Sequence, residues 1–99
     1  MSEPTFIVLS RAGASRDLSR GSREQSYWDE HAAYIDALVA EGVIVLGGPL
    51  ADEGVALLVV RAADEAAVRA KVAPDPWYEH DILRLERIAR WDIFIDQRE

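Results

Sequence analysis

His31 and Asp75 are the two residues of this chain whose side chains together suit proton transfer. Histidine has an unperturbed pKa of about 6.5, so it exchanges protons near neutral pH. A carboxylate beside an imidazole fixes its tautomer and stabilises its charged form. Each residue also has a common structural role, since His31 lies on an apolar helical stripe and Asp75 precedes a proline, as many turn aspartates do. Spacing along the chain leaves open whether the two side chains meet.

Four further residues are candidates for lining a binding pocket: Trp28, Gly48, Pro49 and Trp77. Glycine lets a ligand approach the backbone, and tryptophan offers a flat apolar surface. Each candidate also has a structural alternative. Gly48 and Pro49 could simply end a strand and begin a turn, and the two tryptophans could simply pack a helix and a loop. This is no phosphate-binding loop, because the chain has neither a G-x-G-x-x-G nor a GK[ST] pattern.

Other kinds of chemistry find little support in the sequence. The chain has no cysteine, which excludes a thiolate nucleophile and a cysteine-rich zinc site. His80 lies between two acidic residues, but adjacent side chains seldom converge on one ion, and no H-x-H or H-x-x-x-H spacing exists. Ser10, Ser22 and Ser26 lack the G-x-S-x-G pattern of a nucleophile elbow. We therefore predict neither a metal nor a cofactor.

Length and composition predict a single domain over residues 1–99, with 49% hydrophobic and 29% charged residues. The net charge of −7 opposes binding to nucleic acid phosphates. No apolar run approaches the roughly 20 residues of a membrane helix, and Met1–Pro4 lacks the features of a signal peptide. We expect a cytoplasmic protein that binds neither nucleic acid nor membranes.

The elements that must position these residues begin with a strand at Thr5–Ser10. Arg11–Gly21, rich in Gly, Ser and Arg, is predicted as a mobile loop. Ser22-Arg23-Glu24-Gln25 fits a capping box, so a helix is predicted from Ser22 to about Glu41, with Gly42 in the left-handed position after it. The apolar stripe of that helix consists of Trp28, His31, Ile35, Leu38 and Val39.

The second half of the chain predicts a hairpin, a helix and a final strand region. Acidic residues favour the start of this helix, and Pro74 and Pro76 end it. A bulge or a change of partner is expected around Ala89–Trp91. The predicted segments are strands at Val43–Gly48 and Val55–Arg61 around a Pro49–Gly54 turn, a helix from Ala63 to about Val72, and one or two strands within Ile82–Ile95.

The order βαββαβ predicts an α+β fold of the ferredoxin-like type, with a four-stranded antiparallel sheet and two helices on one face. The strands are apolar on both faces, since Phe6 and Val8 alternate with Ile7 and Leu9. One face meets the helices, and no remaining segment is long enough to cover the other. A second copy of the chain is the economical cover, so we expect a homodimer.

The chain resembles the YCII-related (YciI-like) proteins, which are small dimeric α+β barrels. The resemblance covers nearly the whole length and depends on five features: His31, the Gly42-Val43-Ile44-Val45-Leu46-Gly47-Gly48-Pro49-Leu50 run, Asp64-Glu65-Ala66, Asp75-Pro76-Trp77, and Trp91 near the end. It implies a dimeric α/β barrel.

The resemblance also implies a role for each member of the pair. A histidine of the first helix and the aspartate of the DP motif form the proposed active site of such proteins, which corresponds to His31 and Asp75. Two positions depart from the family pattern. Trp28 stands where an arginine often precedes the histidine, and Asp81 stands where a glycine often follows the DP motif. The first departure removes an anion contact, which implies a different substrate.

Three functions stay open at this point. The first is a cofactor-free enzyme that uses His31 and Asp75 for elimination or isomerisation of a small cyclic or aromatic molecule, because such reactions need no nucleophile. The second is a non-catalytic dimeric module that binds a small ligand or a partner in the same cleft. The third is a heme or oxidative-degradation enzyme on the same barrel, with the histidine as ligand.

Overall fold

Four strands form one antiparallel sheet in the order β2-β3-β1-β4. The computed structural model of the chain describes residues 3–51 and 54–98, so part of the predicted Pro49–Gly54 turn lies outside the described residues. The α+β class and the four-stranded antiparallel sheet are confirmed. The elements are β1 Thr5–Ala12, a short 3-10 helix Ser22–Glu24, α1 Trp28–Ala40, β2 Ile44–Leu50, β3 Val55–Arg61, α2 Glu65–Val72, α3 Pro76–Glu79 and β4 Leu83–Arg90.

The core lies between one face of the sheet and the helices. Alternate residues of a strand point to the same face, and Val8 of β1 and Val60 of β3 share this face with fully buried side chains. Leu38 of α1 and Val68 of α2 pack against them in a single buried cluster. Both long helices therefore lie on the same side of the sheet. Burial of each of these side chains stabilises the fold by about 1.5–3 kcal/mol.

The opposite face of the sheet is also apolar. Ile7 and Leu9 of β1 stand beside Val59 and Leu57 of β3 in the antiparallel register. Val59 is buried, while Ile7, Leu9 and Leu57 are half-buried. Among the described residues, no helix of the core cluster covers this face.

Helix α1 begins later than predicted. Ser22–Glu24 forms a 3-10 turn, and the α-helix starts at Trp28 after Tyr27, which has a left-handed backbone with φ of 64°. The prediction of a capping box is therefore wrong, because the side chain of Gln25 turns back and hydrogen-bonds to the preceding loop. At the other end Gly42 has φ of 78°, as predicted, and the Val43 N–H donates to the Leu38 carbonyl in a Schellman motif.

The last third of the chain follows the prediction with two differences. Helix α2 begins after Asp64, whose carboxylate accepts a hydrogen bond from Ala67 N at 2.8 Å. Pro76 does more than end a helix, since it opens α3 at the N-terminal position that suits proline. The irregularity in β4 lies opposite the Leu9–Ser10 step, at Glu86, and not around Ala89–Trp91. In the described part of the chain, no helix has the length and apolar character to cross a membrane.

Candidate functional site

The structure brings His31 and Asp75 together. His31 lies in the first turn of α1, and Asp75 is the residue that caps α3. Nδ1 of His31 lies 2.9 Å from Oδ1 and 2.8 Å from Oδ2 of Asp75. The side chain of His31 is 14% exposed and that of Asp75 is 3% exposed. The acidic partner is therefore shielded from water, while the imidazole keeps an accessible edge.

Asp75 is held in place by the helix that it caps. Its Oδ1 accepts a hydrogen bond from the backbone N–H of Trp77 at 2.9 Å, which satisfies one of the free donors at the start of a helix. The Asp75 N–H in turn donates to the Val72 carbonyl at 3.0 Å. The same carboxylate thus does two things. It caps α3, as its position before Pro76 suggested, and it contacts His31.

Two tryptophans fix the imidazole from the sides. The ring of Trp77 stacks on that of His31 with centroids 3.8 Å apart and planes 6° apart. The Trp77 indole is itself anchored, since its Nε1–H donates to the Ser26 carbonyl at 2.9 Å. Trp28 is tilted against both rings at 5.7 Å. A stacked ring with one bonded nitrogen has little freedom to rotate, so the other nitrogen keeps a defined direction.

These residues line a cleft of about 920 Å³, a size typical of small-molecule sites. Within the described residues, Nε2 of His31 has no hydrogen-bond partner. Gly48 and Pro49 line the same cleft from β2, but neither hydrogen-bonds to the pair. All six predicted site residues therefore share one cleft: His31 and Asp75 in direct contact, Trp28 and Trp77 against the imidazole, and Gly48 and Pro49 on the β2 side.

Tyr78 and Ser10 form a second polar pair in the cleft, a role that the sequence patterns did not predict. The Tyr78 hydroxyl hydrogen-bonds to Ser10 Oγ, and both residues line the cleft. Burial raises the pKa of Tyr78 above its ordinary 10.0, the hydrogen bond with Ser10 opposes this, and Asp75 adds to it. The phenol is therefore neutral at physiological pH. Strand parity could have found Ser10, because it lies on the same face as the buried Phe6 and Val8.

Arg16 is the other functional candidate that the sequence patterns did not predict. It lies in the segment predicted as a mobile loop, yet it lines the cleft. One of its guanidinium N–H groups donates to Ser22 Oγ at 3.1 Å, and its central carbon lies 5.6 Å from the centroid of the Trp77 ring. Composition alone marks Arg11–Gly21 as a loop, and no local pattern indicates that this arginine folds back over an indole.

The remaining candidates have structural roles. His80 stacks on Tyr27 with centroids 3.8 Å apart. In residues 3–51 and 54–98, no group of three or more His, Cys, Asp or Glu side chains is arranged to hold a metal ion. Asp81, which stands where the family often has glycine, has φ of 60°. That left-handed backbone explains why glycine suits the position.

Comparison with models of known protein families gives a match. The model of a family described as the YCII-related domain matches residues 6–92, a range that includes every residue of the site described above. The searches of curated proteins and of solved structures gave no match.

Proposed function

This chain belongs to the family of YCII-related domain proteins, and on that premise we propose that it is a small-molecule enzyme in which His31 and Asp75 transfer protons. The reaction is a cofactor-free elimination or isomerisation of a cyclic or aromatic substrate. One observation carries the proposal: Nδ1 of His31 is bound to a buried carboxylate at 2.8 Å, and the same ring lines a cleft of substrate size.

The proposed mechanism starts from the tautomer that Asp75 selects. An ionised carboxylate only accepts hydrogen bonds, so Nδ1 carries the proton and Nε2 offers a lone pair. Nε2 removes a proton from a carbon next to a carbonyl group, and the electron pair of the C–H bond moves toward the carbonyl oxygen. The imidazolium then forms an ion pair with Asp75. In isomerisation it returns the proton at another carbon or at oxygen. In elimination the electron pair of the enolate forms a carbon–carbon double bond, a leaving group on the next carbon departs with the electron pair of its own bond, and the imidazolium gives its proton to that group or to water.

The test is hydrogen–deuterium exchange at carbon, because it detects removal of the proton whatever product forms afterwards. The protein is incubated in D₂O with a panel of cyclic monoketones, cyclic enones and unsaturated lactones, and loss of C–H signals relative to a protein-free sample is followed by ¹H NMR. We expect His31→Ala to lower the exchange rate about a hundredfold or more, the usual scale of acid–base catalysis. Asp75→Asn is expected to lower it less, because asparagine still caps a helix.

The matched control is His80→Ala, since His80 is the other histidine of the chain and stacks on Tyr27. It is expected to retain the exchange rate of the native protein. If exchange is equal in His31→Ala and His80→Ala, the imidazole of His31 is not the base and the enzymatic proposal fails.

A second candidate function is a non-catalytic module that binds a small ligand in the same cleft. The packing of the pair favours this function. Asp75 caps α3 and His31 of α1 stacks on Trp77 of α3. Both residues therefore also have a structural role, which is to hold α1 against α3. In that case His31→Gln lowers stability and leaves ligand affinity nearly intact, and no substrate of the panel exchanges.

We also propose that two copies of the chain associate through the sheet face that lacks helices. Its half-buried residues Ile7, Leu9 and Leu57 support this, since a large apolar patch on a monomer generally marks an interface. The segment after β4 begins beside β1, where the Trp91 N–H donates to the Thr5 carbonyl at 2.9 Å. Phe94 and Ile95 farther along it are highly exposed and suit contact with the partner copy.

A further inference from the structure

Arg16 is a half-buried cation that faces the cleft without a carboxylate partner in the part of the chain that the structure describes. Its hydrogen bond goes to the neutral hydroxyl of Ser22 at 3.1 Å. Arg20, which lines the same cleft, lies 3.4 Å from Asp17. A guanidinium has five N–H donors and no acceptor, so most of the donors of Arg16 remain available.

The charge of the cleft differs from that of the whole chain. The net charge of the chain is −7, yet Arg16, Arg20 and Arg23 all line the cleft. Among the described lining residues the carboxylate is that of Asp75, and His31 already occupies it. A cleft with an excess of one sign of charge attracts ligands of the opposite sign. An anionic group therefore finds a favourable position in this cleft.

The loop that carries Arg16 is held by hydrogen bonds. The amide of the buried Gln25 accepts from Asp17 N at 2.9 Å and donates to the carbonyls of Asp17, Arg20 and Gly21 at 2.7–3.3 Å. The Arg16 N–H donates to the Gly13 carbonyl at 3.2 Å. The backbone that carries Arg16 is thus ordered before a ligand arrives, which reduces the entropy lost on binding.

We propose that Arg16 binds a carboxylate group of the substrate, so that the substrate is a planar cyclic or aromatic carboxylate. This rests on the proposed function of the cleft. The flat fork of a guanidinium matches the two oxygens of a carboxylate. Trp28 supplies a half-buried aromatic wall in the same cleft, and the Trp77 ring lies against both Arg16 and His31. A carboxylate on Arg16 would place the attached ring in the cleft that the imidazole also lines.

The proposal is tested by binding, with benzoate and its neutral analogue benzamide as the probes. Binding is followed through the indole N–H signals of Trp28 and Trp77 in ¹H–¹⁵N NMR spectra. We expect benzoate to bind at least about tenfold more tightly than benzamide, since hydrogen bonds to a charged group exceed neutral ones by that scale. Arg16→Gln is expected to lower benzoate affinity to that of benzamide and to leave benzamide affinity unchanged.

Arg69→Gln is the matched control, because it removes the same charge from the exposed surface of α2, where Arg69 pairs with Glu65. It is expected to bind benzoate as the native protein does. Equal benzoate affinity in Arg16→Gln and in the native protein overturns the proposal, and so does an equal loss in both variants.

His31→Gln separates this proposal from the proposed function. It is expected to retain the preference for benzoate over benzamide while exchange at carbon is lost. If the benzoate preference depends on Arg16 but His31→Ala exchanges at the native rate, the anion site stands and the acid–base mechanism fails. If Arg16→Gln binds benzoate as the native protein does while exchange still depends on His31, the anion site fails and the acid–base mechanism stands.

Discussion

At the scale of single residues, the Asp75 side chain combines a structural contact with the contact on which the proposed chemistry depends. Its carboxylate caps α3 through Trp77 N and also contacts His31 Nδ1. The cap fixes the carboxylate before any ligand binds, and the contact then orients the imidazole. An aspartate before a proline is therefore compatible with a site, although turn chemistry alone explains its position.

Tyr78 gives a pH-dependence prediction at this scale. Its folded-state pKa lies above the ordinary 10.0, with burial as the main cause. Because the folded state holds this proton more tightly, Tyr78 contributes stability that is complete below about pH 10 and is lost as the pH rises further. We expect the urea midpoint of the native protein to exceed that of Tyr78→Phe at pH 7, and the gap to narrow above pH 10.

Tyr34→Phe is a companion variant rather than a control, because burial also raises the pKa of Tyr34 and its hydroxyl donates to the Lys71 carbonyl outside the cleft. Its difference in urea midpoint from the native protein is expected to narrow above pH 10 in the same way. At pH 7 the Tyr78 variant loses the bond to Ser10, at a cost of about 0.5–1.5 kcal/mol. If the difference in urea midpoint between the native protein and Tyr78→Phe stays constant from pH 7 to pH 11, the pKa of Tyr78 is not raised by folding and the prediction is wrong.

The site was predictable in part, for physical reasons that differ between residues. His31 stood out because it is a polar residue on an apolar helical stripe, and family resemblance supplied its pairing with Asp75. Spacing along the chain could not predict this pairing, because the two residues lie on different elements and meet only when α1 packs beside α3. Arg16 was not predictable because its position depends on hydrogen bonds from Gln25 to loop carbonyls, which leave no local pattern in the sequence.

At the scale of elements, the start of α1 was mispredicted because a tertiary interaction overrode a local signal. Ser22-Arg23-Glu24-Gln25 has the composition of a capping box. In the structure, Gln25 is buried in the Arg11–Gly21 loop, and Ser22 accepts a hydrogen bond from Arg16. By contrast, α2 follows its local signals, since acidic residues were predicted to favour its start and one of them, Asp64, caps it. Exposed helices with their own caps are thus easier to predict than helices that begin inside a site.

Gly13 gives the prediction at this scale. A Cβ added at Gly13 would overlap the backbone oxygen of Asp81, and backbone atoms at that point have little room to move because Gly13 N donates to Ile82 O at 2.9 Å. We expect Gly13→Ala to lower the free energy of unfolding by about 1–3 kcal/mol, the usual cost of overpacking. Denaturant unfolding measures this change.

Gly48→Ala is the matched control, because a Cβ at Gly48 meets nothing within 4 Å. It is expected to change the free energy of unfolding by less than about 1 kcal/mol. Equal losses in the two variants would show that the close approach of the Gly13 segment to Asp81 is not a constraint on the fold.

At the scale of the whole molecule, a sheet with two apolar faces has helices on one of them. The alternation of Phe6 and Val8 with Ile7 and Leu9 predicted this arrangement, and the structure assigns the first pair to the core and the second pair to the opposite face. At this scale the sequence was most informative, because strand parity depends only on the extended backbone. In the described part of the chain the second face has no helix over it, and the cover proposed for it is a second copy.

The proposed homodimer is the last prediction. Leu46 of β2 is 47% exposed, and its register partner Val59 lies on the face that lacks helices. Sedimentation at micromolar concentration is expected to give a species of twice the 11.0 kDa chain mass. Leu46→Glu is expected to shift it toward the single chain, since a charge at a buried interface is costly, whereas Ala70→Glu on the exposed surface of α2 leaves the mass unchanged. A native protein that sediments only at 11.0 kDa would leave the apolar face open to solvent and refute the dimer.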